Sequence, residues 1–420
     1  MPGILAQPAR RCAGAARARH DFGARAFVRA LKLSASAASR PLILGAVFSS
    51  CLGVGLIFGF QPPLIALSLS RSGSSSFAIG AVTAASLVAV ILLGPLYPRA
   101  IARLGLKRCI VIGVGIAALI LLLMPVWPSV PIWLVLRFLS GCALGLTWIA
   151  SEIWMNTVSD DKSRGTIMGI YGTVFSLGII GGPVLLEFTG TRGWRPFAVG
   201  ALCLGLTLVP LAVLRTVKSA APSFAALGGL MSAVRAAPLV MLAAVVAGLV
   251  ESADLALLPL FGLHAGIGEK ASLLLVTVFM AGNVVLQMPI GLLADRFGRR
   301  FLLGICALLS GIGPLLLPAC IHRSALLGPL LIVWGGTLYA FYSQGVALLG
   351  EEFPAAELPR ANTVFVMVYC LGGVIGPSLG GYAMDVWPSA GLPVLLSSAA
   401  LLMLAGLAMR RGKEPVQTGS

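Results

Sequence analysis

The ten residues Gly291–Arg300, GLLADRFGRR, join two long apolar runs and decide how the surrounding chain folds. The runs, 271–292 and 301–320, are each long enough to cross a bilayer, which takes about 20 residues of helix. A connection this short makes the two helices antiparallel neighbours. Its charges must lie at the membrane surface, because a charged side chain at the bilayer centre costs roughly 2.5–3.5 kcal/mol. The stretch therefore predicts a helical hairpin that crosses the membrane twice.

The composition of the whole chain is that of a polytopic membrane protein. Apolar residues make up 58% of the 420 residues and charged residues 10%, whereas globular proteins carry about 25% charged residues. The formal net charge of +16 is attributed to basic loops that orient helices, so no nucleic-acid partner is expected. The eight cysteines are scattered without CxxC spacing, which predicts neither a metal site nor a disulfide framework.

Twelve apolar runs of membrane-spanning length follow one another along the chain. We predict spans at 42–67, 77–97, 108–127, 131–155, 166–188, 195–214, 239–263, 271–292, 301–320, 325–349, 361–383 and 390–409. An even number of spans places both termini on the same side of the membrane. The sequence therefore predicts an all-α polytopic membrane protein with twelve transmembrane helices.

The basic residues orient these helices. With the N-terminus inside, 24 of the 30 basic residues fall on the cytoplasmic side, five fall outside, and Arg137 lies within a helix. Since Lys and Arg accumulate in cytoplasmic loops, both termini are predicted to be cytoplasmic in a bacterial inner membrane. The alternative is the mitochondrial inner membrane, because residues 1–40 carry eight basic residues against one acid, a composition that transit peptides share.

The chain divides into two pseudo-symmetric halves of six helices. The stretch Gly94–Arg108 stands where GLLADRFGRR stands in the second half, and the Gly178…Gly182-Pro183 pattern returns as Gly372…Gly376-Pro377. Related halves with a site between them suit alternating access. We predict a basic cytoplasmic tail, a first half, a cytoplasmic linker, a second half and a cytoplasmic tail at 1–40, 41–216, 217–237, 238–410 and 411–420.

GLLADRFGRR resembles the loop between helices 2 and 3 of major facilitator superfamily transporters, and its repeat between helices 8 and 9. The run Ser151–Asn156, SEIWMN, resembles the bacterial YcaD-like branch, whose members carry a Glu-x-Trp-x-Asn segment here. The resemblance covers about residues 40–410 and implies that fold. In one departure, the first-half loop has Pro98 or Ala102, depending on the alignment, where the family usually has Asp.

Three charged residues lie well inside the predicted spans, away from the span ends, and are candidates for function because charge is unfavourable there. Glu251 and Asp254 are three residues apart on one helix, so both are expected to face one cavity. Their mutual repulsion suits a group that takes up and releases a proton. Arg137 begins an Arg-x3-Gly-x3-Gly pattern that resembles the family's helix-four motif, whose arginine is associated with proton coupling. The alternative is that these charges merely hold helices together.

Other residues complete three predicted groups. The substrate and proton site adds the polar or aromatic residues Tyr171, Tyr339, Tyr342, Gln344 and Gln61. Charged groups near helix ends form a predicted conformational gate, with Glu152 interpreted as a salt-bridge latch: Glu152, Arg103, Arg164, Asp295, Arg296, Arg299, Arg300, Glu351 and Arg360. Close packing and bending are expected at Gly178, Gly182, Pro183, Gly376 and Pro377.

The function predicted from these features is secondary active transport of a small molecule. Nucleotide-binding, metalloprotease and hydrolase motifs are missing from the sequence, so neither an enzyme nor a cofactor is expected. Coupling to protons, or to another ion, is favoured, with efflux ahead of uptake, and the helices contact membrane lipid. Acidic residues at cavity depth favour a cationic or zwitterionic solute, while Arg137 permits an anion. The alternative is a non-transporting sensor or assembly protein with this fold.

Overall fold

The computed structural model describes residues 40–159, 164–212, 234–354 and 357–411. This part of the chain contains twelve helices long and apolar enough to cross a membrane, which confirms the predicted all-α polytopic fold. We number them α1 to α12: Arg40–Arg71, Ser76–Leu104, Leu106–Val126, Val130–Val158, Arg164–Thr189, Arg195–Ala212, Pro238–His264, Glu269–Phe297, Arg299–Cys320, Ser324–Glu352, Leu358–Val386 and Gly391–Arg411. Apart from a few helix-end residues, the predicted tails and linker lie outside the described residues.

Glycines let helices approach closely within each half. A Cβ added at Gly59 of α1 would overlap the carbonyl oxygen of Ile179 on α5, and Gly182 of α5 lies against Gly59 in return. The second half repeats this contact between α7 and α11, where Gly376 lies against the carbonyl of Leu249. Small residues at such crossings allow the backbones of membrane helices to meet. Gly178 and Gly372 make equivalent approaches, and Pro183 and Pro377 lie inside α5 and α11.

The α2–α3 and α8–α9 turns have the same geometry. Gly105 has φ 81° and Gly298 has φ 92°, a left-handed conformation that glycine adopts without steric cost. Their N–H groups donate to Ile101 and Ala294 at 2.8 and 3.0 Å. When the two loop sequences are aligned at Gly105 and Gly298, Ala102 stands opposite Asp295. The structure therefore decides the alignment of the first-half loop in favour of Ala102 rather than Pro98.

The two halves pack against each other through α2 on α11, α5 on α8 and α1 on α7. We call the end of the bundle that holds Arg40 and Arg411 the terminus end. The opposite end, which holds Arg71 and Asp385, is the far end. The outward faces of the helices carry many exposed apolar side chains, and Phe188 is 76% exposed. Such a surface fits lipid and would be unfavourable in water.

Candidate functional site

An inner cavity with a volume of about 80 Å³ lies between the two halves. Its wall combines side chains of α1, α2, α4 and α5 with side chains of α7 and α11. The charged members of this wall are Arg137 of the first half and Glu251 of the second. The cavity therefore carries one positive and one negative side chain on opposite halves.

A vestibule with a volume of about 470 Å³ continues from the inner cavity toward the terminus end. Glu152, near the end of α4, and Asn362, near the start of α11, lie on its wall. The vestibule and the inner cavity share five lining residues: Trp148, Phe175, Ile179, Glu251 and Tyr369. Glu251 therefore stands where the two spaces meet.

The guanidinium of Arg137 is held by first-half residues. Its Nη1 donates to the side-chain oxygen of Gln61, and its Nη2 donates to Ser86 Oγ at 2.8 Å and to the Thr83 carbonyl at 3.3 Å. Arg137 is 5% exposed. Among the described residues, Arg137 Nε and Gln61 Nε2 are buried donors without a hydrogen-bond partner. The structure thus brings together Arg137 and Gln61, two residues that were predicted separately for the site, and leaves one donor atom of each without a partner among the described residues.

The carboxylate of Glu251 is positioned by tyrosines of its own half. Tyr369 on α11 donates its hydroxyl to Glu251 Oε2 at 2.7 Å. Tyr339 on α10 lies beside the same carboxylate and donates to Met280 Sδ at 3.0 Å. In the part of the chain that the structure describes, Glu251 and Arg137 form no ion pair, with each other or with another residue.

Asp254 is fully buried and is absent from the lining of both cavities. Within the described ranges, neither of its carboxylate oxygens has a hydrogen-bond partner. Three residues of α-helix rotate a side chain by about 300°, which leaves it roughly 60° from the starting direction. That offset separates the wall position of Glu251 from the packed position of Asp254. Both carboxylates were expected to face one cavity. Glu251 does so, and Asp254 does not.

Three aromatic side chains of the first half line the inner cavity together with Glu251. Trp148 and Phe175 stack with ring centroids 6.0 Å apart at an interplanar angle of 13°, and Phe58 meets both at 6.0 and 5.9 Å. We call Phe58, Trp148 and Phe175 the aromatic cluster. The cluster and Tyr369 were not predicted from the sequence, because an aromatic residue inside an apolar span has no pattern that distinguishes a cavity wall from ordinary packing.

The remaining predicted site residues divide between the vestibule and the core. Tyr171, Tyr339 and Tyr342 lie on the vestibule wall, and Tyr342 contacts Tyr369 edge-on with ring centroids 5.1 Å apart. Gln344 is buried on α10 and lines neither cavity. The structure thus brings the three tyrosines to the site and leaves Gln344 in the helix packing.

Several predicted gate residues form a network within the second half at the terminus end. Arg299 pairs with Asp295 at 3.2 Å and with Glu351 at 3.0 Å, while Arg300 pairs with Glu352 at 3.5 Å. These pairs tie α8 and α9 to each other and to α10. Elsewhere in the predicted gate, Glu152 lies on the vestibule wall, Arg103 is exposed, Arg296 lies over the Phe297 ring, and the side chains of Arg164 and Arg360 lie outside the described residues.

The far end holds polar contacts between the halves that the sequence analysis did not single out. Asp385 of α11 accepts hydrogen bonds from the backbone N–H groups of Ser76 and Phe77 at the start of α2, at 2.8 and 2.9 Å. Arg71 pairs with Glu269 at 2.7 Å, with side chains 30% exposed. These contacts join the two halves where the vestibule does not reach.

Close backbone packing reinforces the far-end contacts. A Cβ added at Gly80 of α2 would overlap the carbonyl of Pro377, and one added at Gly381 of α11 would overlap the carbonyl of Ser76. Glycine is required at both positions because each backbone meets a backbone of the other half. The described residues therefore bring the halves into close contact at the far end, while the vestibule lies between them nearer the terminus end.

Comparison with known proteins decides the family. The sequence model described as Major Facilitator Superfamily matches residues 43–275 and 266–419. The chain belongs to the Major Facilitator Superfamily. Members of this superfamily are transporters, so the chain is a multi-pass membrane transport protein, and the resemblance to this family and to its YcaD-like branch is confirmed.

The superfamily relatives match over most of their length. The MFS-type transporter YfkF of Bacillus subtilis (strain 168) is 25% identical over 361 residues, covering 84% of this chain and 92% of YfkF. YcaD of Escherichia coli O17:K52:H18 (strain UMN026 / ExPEC) is 24% identical over 389 residues, covering 90% of this chain and 97% of YcaD. The crystal structure of the nucleoside transporter NupG has a TM-score of 0.71 at 15% identity, covering 89% of this chain and 100% of NupG. That likeness shows a shared fold.

Proposed function

We propose that this superfamily member is a secondary active transporter that exports a small molecule across a bacterial cytoplasmic membrane and couples its movement to protons. The single observation that carries the proposal is the placement of Glu251. It is a membrane-embedded carboxylate on the wall of both cavities and at the contact between the halves. Ionisable residues inside a membrane mark substrate and proton pathways.

The bias of basic residues assigns the terminus end to the cytoplasm. On that orientation the vestibule opens inward, and the far-end contacts close the route to the outside. This arrangement is one of the two that alternating access requires, because a solute can enter from the cytoplasm and reach Glu251. Export then follows when the halves rock, the far-end contacts break, and the terminus end closes.

We infer proton coupling from the groups that the Glu251 carboxylate can bind. Glu251 accepts from Tyr369 and pairs with none of the described cations. A carboxylate in such a place can hold a proton or a cationic group of the solute, and the two compete for the same oxygens. Competition of this kind makes solute binding release a proton to the cytoplasm and proton binding release the solute outside. Antiport is therefore the favoured mode.

The sensor alternative has less support. A protein that does not transport has no need of an embedded carboxylate on the wall of a vestibule of about 470 Å³. A structure with both Glu251 and Asp254 sealed between helices would have favoured that alternative, whereas Glu251 lines both cavities. Asp254 is sealed in this way, and we assign it no transport role.

Proton flux in proteoliposomes tests the proposal. The purified protein is reconstituted with a pH-sensitive dye inside the vesicles, and cationic, zwitterionic, anionic and neutral solutes are added outside in turn. We expect one class to drive a proton flux in the wild type and in Glu357→Gln, an exposed control. Glu251→Gln should abolish the proton flux. If no solute of the four classes drives a proton flux through correctly folded protein, the result would instead support the sensor alternative.

A further inference from the structure

The two buried charges of the inner cavity carry an inference about the solute. We propose that the cavity binds a zwitterion with an apolar body, its anionic group at Arg137 and Gln61 and its cationic group at Glu251. This inference rests on the proposed function and deepens it by naming the substrate class.

The Arg137 end of the cavity is built for a hydrogen-bond acceptor. Arg137 donates three hydrogen bonds to first-half oxygens from its two Nη atoms, and its Nε–H has no partner among the described residues. Gln61 contributes a second buried donor, Nε2, which is also unpartnered within the described chain. A carboxylate or another anionic group accepts from both and neutralises the guanidinium, since charge-assisted bonds to arginine are strong. The local donors therefore select a negative group.

The Glu251 end is built for a cation. The carboxylate offers about four acceptor positions, of which Tyr369 occupies one with a 2.7 Å hydrogen bond. The aromatic cluster belongs to the other half and lines the same cavity as Glu251, and an ammonium group is attracted to aromatic faces within about 6 Å. An ammonium between Glu251 and the aromatic cluster is stabilised from both sides.

A zwitterion satisfies both ends at once, which a singly charged solute does not. A monocation would leave Arg137 without a counter-charge, and a monoanion would leave Glu251 without one. An unpaired charge in a water-poor site is strongly unfavourable. Because Arg137 belongs to the first half and Glu251 to the second, the bound zwitterion also bridges the two bodies that move. The apolar body of the solute is accommodated by aliphatic side chains of the same wall: Leu87, Val90, Leu144 and Leu255.

The test uses probes that share a body and differ in charge. Phenylalanine, Phe-Phe and Phe-Phe-Phe supply three charge separations. Each is used with free ends, N-acetylated, C-amidated and with both ends blocked, which gives a zwitterion, an anion, a cation and a neutral form. Binding to the purified full chain in detergent is measured by calorimetry. We expect the zwitterion of at least one length to bind tenfold or more tightly than its three blocked forms.

Two variants test which end of the inner cavity binds each charged group of the zwitterion. Glu251→Gln should remove the preference for the zwitterion over the N-acetyl form, because these two differ only at the ammonium. Gln61→Met retains the side-chain length and removes one orphaned donor, so it should reduce the preference over the amide form severalfold. This variant also removes the oxygen that accepts from Arg137 Nη1, while the Nη2 bonds to Ser86 and Thr83 still hold the guanidinium. Glu357→Gln should preserve both preferences.

Each remaining outcome contradicts the inference. Tighter binding of the amides at all lengths would make the solute a cation, and tighter binding of the N-acetyl forms would make it an anion. Absence of binding by zwitterions of all three lengths would also overturn it. The proposed function would survive any of these results if a solute of another charge class still drove proton flux through Glu251 in proteoliposomes.

Discussion

Asp385 caps the helix that begins at Ser76, 309 residues earlier in the chain. The carboxylate accepts hydrogen bonds from the backbone N–H groups of Ser76 and Phe77 at 2.8 and 2.9 Å. It lies at a helix N-terminus, where negative charge is favoured. Because α2 belongs to the first half and α11 to the second, this cap exists only while the far end is shut. It is therefore a contact that biases the protein between two arrangements.

Removing the Asp385 carboxylate should open the far end. Hydrogen bonds to a charged group contribute about 1.5–3 kcal/mol each, so Asp385→Ala should raise the far-end-open population by roughly tenfold or more. Asp385→Asn retains one acceptor and should have a smaller effect. The readout is the labelling rate of Ser252→Cys, in the inner cavity, with a membrane-impermeant maleimide added from outside. Equal labelling rates in both variants and in the parent would refute the assignment.

The Arg71–Glu269 pair should make a smaller contribution. Its side chains are 30% exposed, and exposed ion pairs contribute about 0.2–1 kcal/mol. Arg71→Glu should raise the same labelling rate by up to about fivefold, and adding Glu269→Arg should restore it, since the charges then attract again. A double variant that labels as fast as Arg71→Glu would show that the pair does not hold the far end shut.

Gly80→Ala should block far-end closure without unfolding either half. The added methyl group overlaps the carbonyl of Pro377 in the other half, and rocking the halves apart relieves the overlap. We expect transport to fall tenfold or more while the thermal unfolding midpoint changes little. Gly94→Ala on the same helix meets no atom within 4 Å and serves as the matched control. Normal transport by Gly80→Ala would mean that the halves do not close at this contact.

Gly59→Ala should instead destabilise the fold. Its added methyl group overlaps the carbonyl of Ile179 within the first half, and no rocking motion relieves that overlap. Overpacking of a close contact costs about 1–3 kcal/mol, so the unfolding midpoint should fall by several degrees relative to the wild type. Gly45→Ala on the same helix meets nothing within 4 Å and should leave it unchanged. An unaltered midpoint for Gly59→Ala would contradict the packing described here.

The number of helices, the embedded charges and the loop repeat could be predicted from the sequence, because the membrane imposes simple constraints. Helix number follows from the length of apolar runs. Arg137 and Glu251 are conspicuous because charge inside hydrocarbon is rare. The loop repeat is visible because a tight turn needs glycine, at Gly105 and Gly298 alike. In these cases one local rule determines the result.

Other parts depend on tertiary placement, which no local rule supplies. Asp385 lies at a helix end, where a carboxylate carries little free-energy penalty. It therefore does not stand out in the sequence as a functional residue. Gly80 cannot be separated from the other 50 of the 51 glycines until α2 is docked on α11. The rotation of α7 decides that Glu251 lines the cavity while Asp254 is packed, although both satisfy the same helical spacing. Sequence periodicity fixes the angle between the two side chains and leaves the orientation of the helix open.

The most direct test of the central claim compares proton release by two carboxylate variants. A solute that drives proton flux is added to purified protein in weakly buffered detergent solution, and the pH change is recorded for the wild type, Glu251→Gln and Asp254→Asn. The account predicts proton release by the wild type and by correctly folded Asp254→Asn, and its loss in Glu251→Gln with the solute still able to bind. Undiminished release by Glu251→Gln, or release lost in Asp254→Asn alone, would contradict the claim that the cavity carboxylate couples solute to protons.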